Sequence, residues 1–120
     1  VDFFRGRDPL AEAVDRLLHS NEVALCGPVL TELRRGFRSR AERARIIPLL
    51  SGCQLLPDPP RLWDEAGDLG YALGRRGVTV KTIDLLIATY ALSHGVAVLA
   101  RDSDFEDMRR AGAQLLLVEV

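Results

Sequence analysis

The sequence predicts an α/β fold with a mostly parallel central sheet flanked by helices. Three observations carry that prediction. Short apolar runs at residues 22–26, 96–100 and 115–118 read as strands; the first does not alternate and so reads as buried on both faces, the pattern of parallel strands, and the second also reads as buried. The segments between them carry apolar residues at helical spacing. Strands and helices then follow one another in alternation, which is the order that builds a parallel sheet.

Asp8-Pro9 opens the first helix, with Asp8 as cap and Pro9 in the first turn. Leu10, Val14, Leu17 and Leu18 continue it to about residue 20. Gly27-Pro28 ends the first strand, and Pro28 starts a helix to about residue 37. Ser39-Arg40-Ala41-Glu42 is a capping box opening another, which Pro48 is expected to kink or end. Residues 54–56 read as a short strand. Asp58-Pro59-Pro60 leads into a longer helix to about residue 76, with Leu62, Ala66, Leu69 and Leu73 on one face. Gly67, Gly70 and Gly74 weaken that helix by roughly 1 kcal/mol each relative to Ala, and their spacing suggests close approach of another backbone.

Residues 82–94 form the most apolar helix. Ile83, Leu86, Ile87 and Tyr90 cover one side and Leu85 and Leu92 another, so it is expected to be buried, and Gly95 closes it. Ser103-Asp104-Phe105-Glu106 is a second capping box, starting a helix to about residue 111.

Composition bounds the function. The 120 residues suit one domain, with 48% hydrophobic and 28% charged residues as in a soluble globular chain. No apolar run approaches the roughly 18 residues of a membrane span, so no membrane association is expected. The net charge of −1 announces no global basic field, although Lys81 is the only lysine among 16 basic residues. Cys26 and Cys53 form no C-x-x-C pair, which excludes a zinc ribbon or redox motif, and a reducing cytoplasm is the expected compartment. Cys26 reads as a buried inert thiol, and His19 and His94 as cations near helix C-termini. Trp63 reads as a core or interface residue rather than a base-stacking platform. There is no G-x-S-x-G, Walker A or G-x-G-x-x-G sequence.

The carboxylates have a pattern. Ligands of a parallel sheet bind at the carboxyl ends of its strands. Asp102 and Asp104 follow the strand at residues 96–100, Glu32 lies in the first turns of the helix after strand 22–26, and Asp84 opens a helix running back to that edge. Four acids from three segments are thereby expected on one rim. Helix dipoles offer a plainer account of acids in first turns, at about 0.3–1 kcal/mol each. Asp84 fits that account worst, because Ile83, Leu85, Leu86 and Ile87 surround it. Beside Glu32, Arg34, Arg35, Arg38, Arg40, Arg43 and Arg45 crowd twelve residues, either as a solvated face or as a phosphate-binding one.

Four stretches taken together resemble a known family. They are Val1-Asp2-Phe3-Phe4-Arg5-Gly6; Pro28-Val29-Leu30-Thr31-Glu32-Leu33-Arg34-Arg35-Gly36; Gly77-Val78-Thr79-Val80 with Ile83-Asp84-Leu85-Leu86-Ile87-Ala88; and His94-Gly95-Val96-Ala97-Val98-Leu99-Ala100-Arg101-Asp102-Ser103-Asp104-Phe105. In order and spacing, over essentially the whole chain, they resemble the PIN-domain ribonucleases, in particular the VapC-type toxins of bacterial toxin–antitoxin pairs.

The resemblance implies a three-layer fold and an endoribonuclease dependent on Mg²⁺ or Mn²⁺. It also implies neutralisation by a cognate antitoxin, and a homodimer. Glu32, Asp84 and Asp102 match the family's second, third and fourth acidic residues and are the expected metal ligands. Asp104 matches a more variable supporting acid. Arg34, Arg35 and Arg38 are the expected RNA contacts. Hard ions of this kind prefer oxygen ligands, which suits carboxylates.

The family's first strand ends in an Asp ahead of the segment that starts here at Val1, so residues 1–120 are expected to form a single PIN-like domain lacking that strand. Asp2 matches a non-catalytic position. The missing acid motivates an alternative, a catalytically impaired module of the same fold that binds RNA or protein. In a third account the acids serve only as helix caps.

Overall fold

The computed structural model describes Arg16, residues 23–99 and residues 103–118. The predicted opening helix lies outside the described residues except for Arg16, which is helical. His19, the segment at Val1 and Asp102 also lie outside them. The chain divides into two compact units, one running to Leu56 and the other from Pro57.

In the first unit, β1 (Ala24–Leu25) leads through α1 (Gly27–Arg35) and α2 (Arg40–Ser51) to β2 (Gln54–Leu55). The two strands run parallel, with Ala24 opposite Gln54 and Leu25 opposite Leu55. The Leu56 amide extends the pairing by donating to the Leu25 carbonyl at 2.7 Å. Pro28 stands in the first turn of α1, as its fixed φ and missing N–H favour. At α2 the cap forms as read: the Glu42 amide donates to Ser39 Oγ at 3.0 Å. Leu25, Leu33, Ile46 and Leu50 make the core, with Ile46 fully buried.

Pro48 neither ends α2 nor stops its last turn, because the helix runs on to Ser51. The carbonyl deprived of a donor belongs to Ala44, which is exposed. Water can therefore replace the missing hydrogen bond.

In the second unit, α3 (Leu62–Arg75) packs against α4 (Thr82–His94), followed by β3 (Ala97–Val98), α5 (Asp104–Arg110) and β4 (Leu116–Leu117). β3 and β4 are parallel, with α5 as the crossover between them. Both ladders are therefore parallel, in agreement with the predicted class. Leu73, Ala88, Ala91, Val98, Phe105, Met108 and Leu115 form the core. Leu62, Ala66 and Leu73 bury the predicted face of α3, and Leu69 packs partly against the core. Gly95 closes α4 in the left-handed region at φ 65°, a conformation that carries a Cβ penalty for other residues.

Several expectations need correction. The strands are not buried on both faces: Ala24 and Ala97 are exposed while Leu25 and Val98 are buried, and Leu116 is 59% exposed. Each described ladder has two strands, so alternate side chains face outward. Leu92 is 38% exposed, leaving one edge of α4 uncovered. Ser103 does not cap α5. Its backbone is already α-helical (φ −80°, ψ −4°), and its side chain makes no cap bond. Glu106 pairs instead with Arg109 at 2.7 Å. The α3 glycines admit no backbone neighbour. A Cβ at Gly67 or Gly74 would meet nothing, and one at Gly70 would meet Leu85 Cδ1 at 2.8 Å. Trp63 is 71% exposed and is no core residue.

Candidate functional site

Asp84 is the one carboxylate buried among the described residues, 7% exposed at the third position of α4. The sequence around it explains the placement. The helix begins at Thr82 after the extended Lys81, so Asp84 falls in the first turn, where unsatisfied amides favour an anion. Leu86, Ala88, Thr89, Tyr90 and Ala91 are buried along the same helix and hold its start within the unit. An ionised carboxylate withdrawn from water needs compensating charge or hydrogen bonds.

Two contacts fix α4 from its far side, and residue patterns alone did not reveal them. The Tyr90 hydroxyl donates to Asp58 Oδ1, and His94 Nε2 lies 2.8 Å from the Pro57 carbonyl. Both partners sit in the Pro57-Asp58-Pro59-Pro60 lead-in to α3. The signal available in sequence was Tyr90 itself, an aromatic with a polar tip in an apolar helix, which generally finds a partner when buried. His94 does stand in the last turn of α4, the expected position.

Asp104 is the first residue of α5, on the carboxyl side of β3. Glu32 lies in the second turn of α1 and is exposed, and α1 has no acid in its first turn. The helix dipole weakens beyond the first turn, so it does not account for Glu32. Asp102 lies outside the described residues. Among the described residues, no three His, Cys, Asp or Glu side chains gather where an ion could be held. The donor chemistry of Asp84 and Asp104 suits a hard divalent cation.

Arg34, Arg35 and Arg38 are exposed, as are Arg40, Arg43 and Arg45. In the first unit they fall at the end of α1, in the link that follows it and in the first half of α2. Cys26 and Cys53 are both free thiols, and burial pushes the Cys53 thiol above its ordinary value.

The PIN domain family matches this chain over residues 1–111. The chain belongs to the PIN domain family. That family is a three-layer α/β fold, in accord with the class predicted from the sequence. VapC ribonuclease Mb1587 from Mycobacterium bovis is 32% identical to this PIN chain over 120 aligned positions. The match covers 92% of this chain and 86% of the relative. Ribonuclease VapC11 from Mycobacterium tuberculosis is similar to the same degree and extent, in strains CDC 1551 and H37Rv. No helix among the described residues of this PIN chain is long and apolar enough to cross a membrane.

Proposed function

We propose that this chain is a VapC-type endoribonuclease toxin that hydrolyses RNA phosphodiester bonds with the help of Mg²⁺ or Mn²⁺. The observation that carries the reading is Asp84, a carboxylate kept in an otherwise apolar helix and buried at its first turn. Similarity to ribonucleases along nearly their whole length supports the reaction class.

Glu32, Asp84 and Asp102 are the residues proposed to hold the ion, and Asp104 the one that orients a water or completes a second site. When bound, the ion would acidify a water and offset charge on the attacked phosphate. The chain's own contribution is to hold oxygen donors in place. Asp84 is fixed by the packing of α4, and Asp104 by the start of α5. Arg34, Arg35 and Arg38 would bind RNA phosphates, for which the guanidinium fork is well suited.

Residues 1–120 act as one domain in this reading, in the cytoplasm, where RNA is available. A cognate antitoxin would neutralise the toxin, and the working form would be a homodimer.

The test is RNA cleavage by the full-length protein in Mn²⁺, with and without Asp84→Asn. Cleavage is expected to fall at least about 100-fold, since even partners of metal ligands are worth 10–100-fold. EDTA should abolish it. Cleavage that survives both the substitution and EDTA overturns the proposed site. Co-purification of a small inhibitory protein encoded beside it tests the antitoxin.

A further inference from the structure

Helices α3 and α5 end in the same way, and one side chain joins their ends. After α3 the Gly77 amide donates to the Gly74 carbonyl and the Val78 amide to the Leu73 carbonyl, both at 3.0 Å. After α5 the Gly112 amide donates to the Arg109 carbonyl and the Ala113 amide to the Met108 carbonyl, again at 3.0 Å. Each pair of bonds turns on a glycine in the left-handed region, Gly77 at φ 82° and Gly112 at φ 108°. Such a turn satisfies the last carbonyls of a helix from its own chain. The Ala111 carbonyl takes part in neither bond of α5, and Arg76 Nη1 donates to it at 2.8 Å.

Arg76 is the C-terminal cap of α3, so it reaches from the end of one helix to the end of another 35 residues on. A cation there also meets the negative end of α5. Arg76 makes no ion pair among the described residues that would draw it away. Gly112 leaves room for it: a Cβ at that position would lie 2.7 Å from Nη1 and 3.4 Å from Cζ. The contact therefore needs Arg76 and Gly112 together.

The contact fixes α5. This helix has seven residues, so it is about 10 Å long, and it carries Asp104 at its other end. Phe105 and Met108 bury one of its faces. Apolar burial is non-directional, whereas the bond from Arg76 holds the end of the helix at one point. Leu73 of α3, Ala88 and Ala91 of α4 and Met108 of α5 share a single core. α3 also packs along α4, whose first turn holds Asp84. Arg76 thus ties the helix of Asp104 to the helix pair that holds Asp84.

We infer that Arg76 is a positioning residue, whose bond to the Ala111 carbonyl holds α5 so that Asp104 keeps its place relative to Asp84. It acts through Asp104 and touches neither ion nor RNA. The inference rests on the carboxylate site of the proposed function and adds to it a residue at the opposite end of α5.

The experiment compares full-length wild type, Arg76→Gln, Asp104→Asn and the double variant. Mn²⁺ affinity is measured by calorimetry without RNA, and kcat and KM for RNA cleavage are measured at saturating Mn²⁺. Arg76 is exposed, so the circular dichroism of Arg76→Gln should match wild type. Its Mn²⁺ affinity and kcat should each fall about 10-fold, the low end of what partners of metal ligands cost, with KM unchanged. In the Asp104→Asn background the same substitution should change neither by more than about 2-fold, because the two residues act as one unit. Equal losses in both backgrounds mean a general loosening of the fold and overturn the inference. A raised KM at unchanged kcat makes Arg76 an RNA contact and also overturns it, as does a wild-type result for either single variant. In each of these cases a wild type that binds Mn²⁺ and cuts RNA leaves the catalytic reading standing. A wild type that does neither overturns that reading and the inference with it.

Discussion

Asp84 and Cys53 show how the same force, removal from water, marks residues of different consequence. Asp84 is a carboxyl group that the apolar helix α4 keeps 7% exposed. If it is a metal ligand, divalent cation should stabilise the folded chain, because a ligand that binds only the native state adds stability by mass action. At 100 times its dissociation constant the gain is about 2.7 kcal/mol. Thermal melts with and without Mn²⁺ should therefore separate for wild type and coincide for Asp84→Asn. This holds even if no RNA substrate has been found. Equal shifts in both proteins would place the ion elsewhere. Cys53 is a neutral thiol whose folded value is raised by desolvation. The raised value means that folding favours the protonated form. The resulting stability is full below the ordinary thiol range and is lost as pH rises through the folded value. At pH 8 to 9 Cys53 in the native chain should thus react with a disulfide reagent more slowly than in the urea-unfolded chain, and the difference should narrow at higher pH. Equal rates in the two states would show that burial does not protect it.

At the scale of elements, a comparison of the two capping boxes separates local pattern from realised structure. Ser39 accepts from the Glu42 amide, whereas Ser103 makes no cap bond although its motif is equally good. Ser39→Ala should cost about 1 kcal/mol in urea unfolding, and Ser103→Ala should stay within about 0.5 kcal/mol. Similar losses in both would mean that the motif, not the observed bond, carries the stability. The contrast explains what was readable in the residues. Helices α1, α3 and α4 were predictable because proline starts, apolar periodicity and Gly95 all agree at their ends. The partner of each strand was not predictable, because parallel pairing depends on contacts distant in sequence. Strand burial was misjudged for a related reason. An apolar run such as residues 96–100 looks the same whether one face or two are covered, and Ala97 shows that one side is open. Of the proposed site, Asp84 stood out by its apolar neighbours, and its burial agrees. The exposure of Trp63 was hidden, since an aromatic near a helix start reads equally well as core.

For the whole molecule, a net charge of −1 conceals an uneven distribution. Six arginines occupy residues 34–45, and only Glu42 opposes them within that stretch. All six are exposed, so their charge is available to a polyanion rather than spent inside the first unit. Total charge governs solubility, but RNA at close range experiences the local field, because screening removes distant charges beyond about 8 Å at physiological salt. If Arg34, Arg35 and Arg38 each neutralise one phosphate of a single strand, each contributes about 0.7 to the slope of log affinity against log salt. Replacing all three by Gln should therefore lower that slope by about 2 and weaken binding similarly for RNAs of different sequence. The measurement is filter binding in EDTA, which suppresses cleavage, over a range of NaCl concentrations. Unchanged slope with the triple variant would remove these residues from the RNA surface and return the arginine run to a solvated face. A fall in affinity confined to one RNA sequence would point instead to contacts with bases, which a phosphate-binding surface does not make.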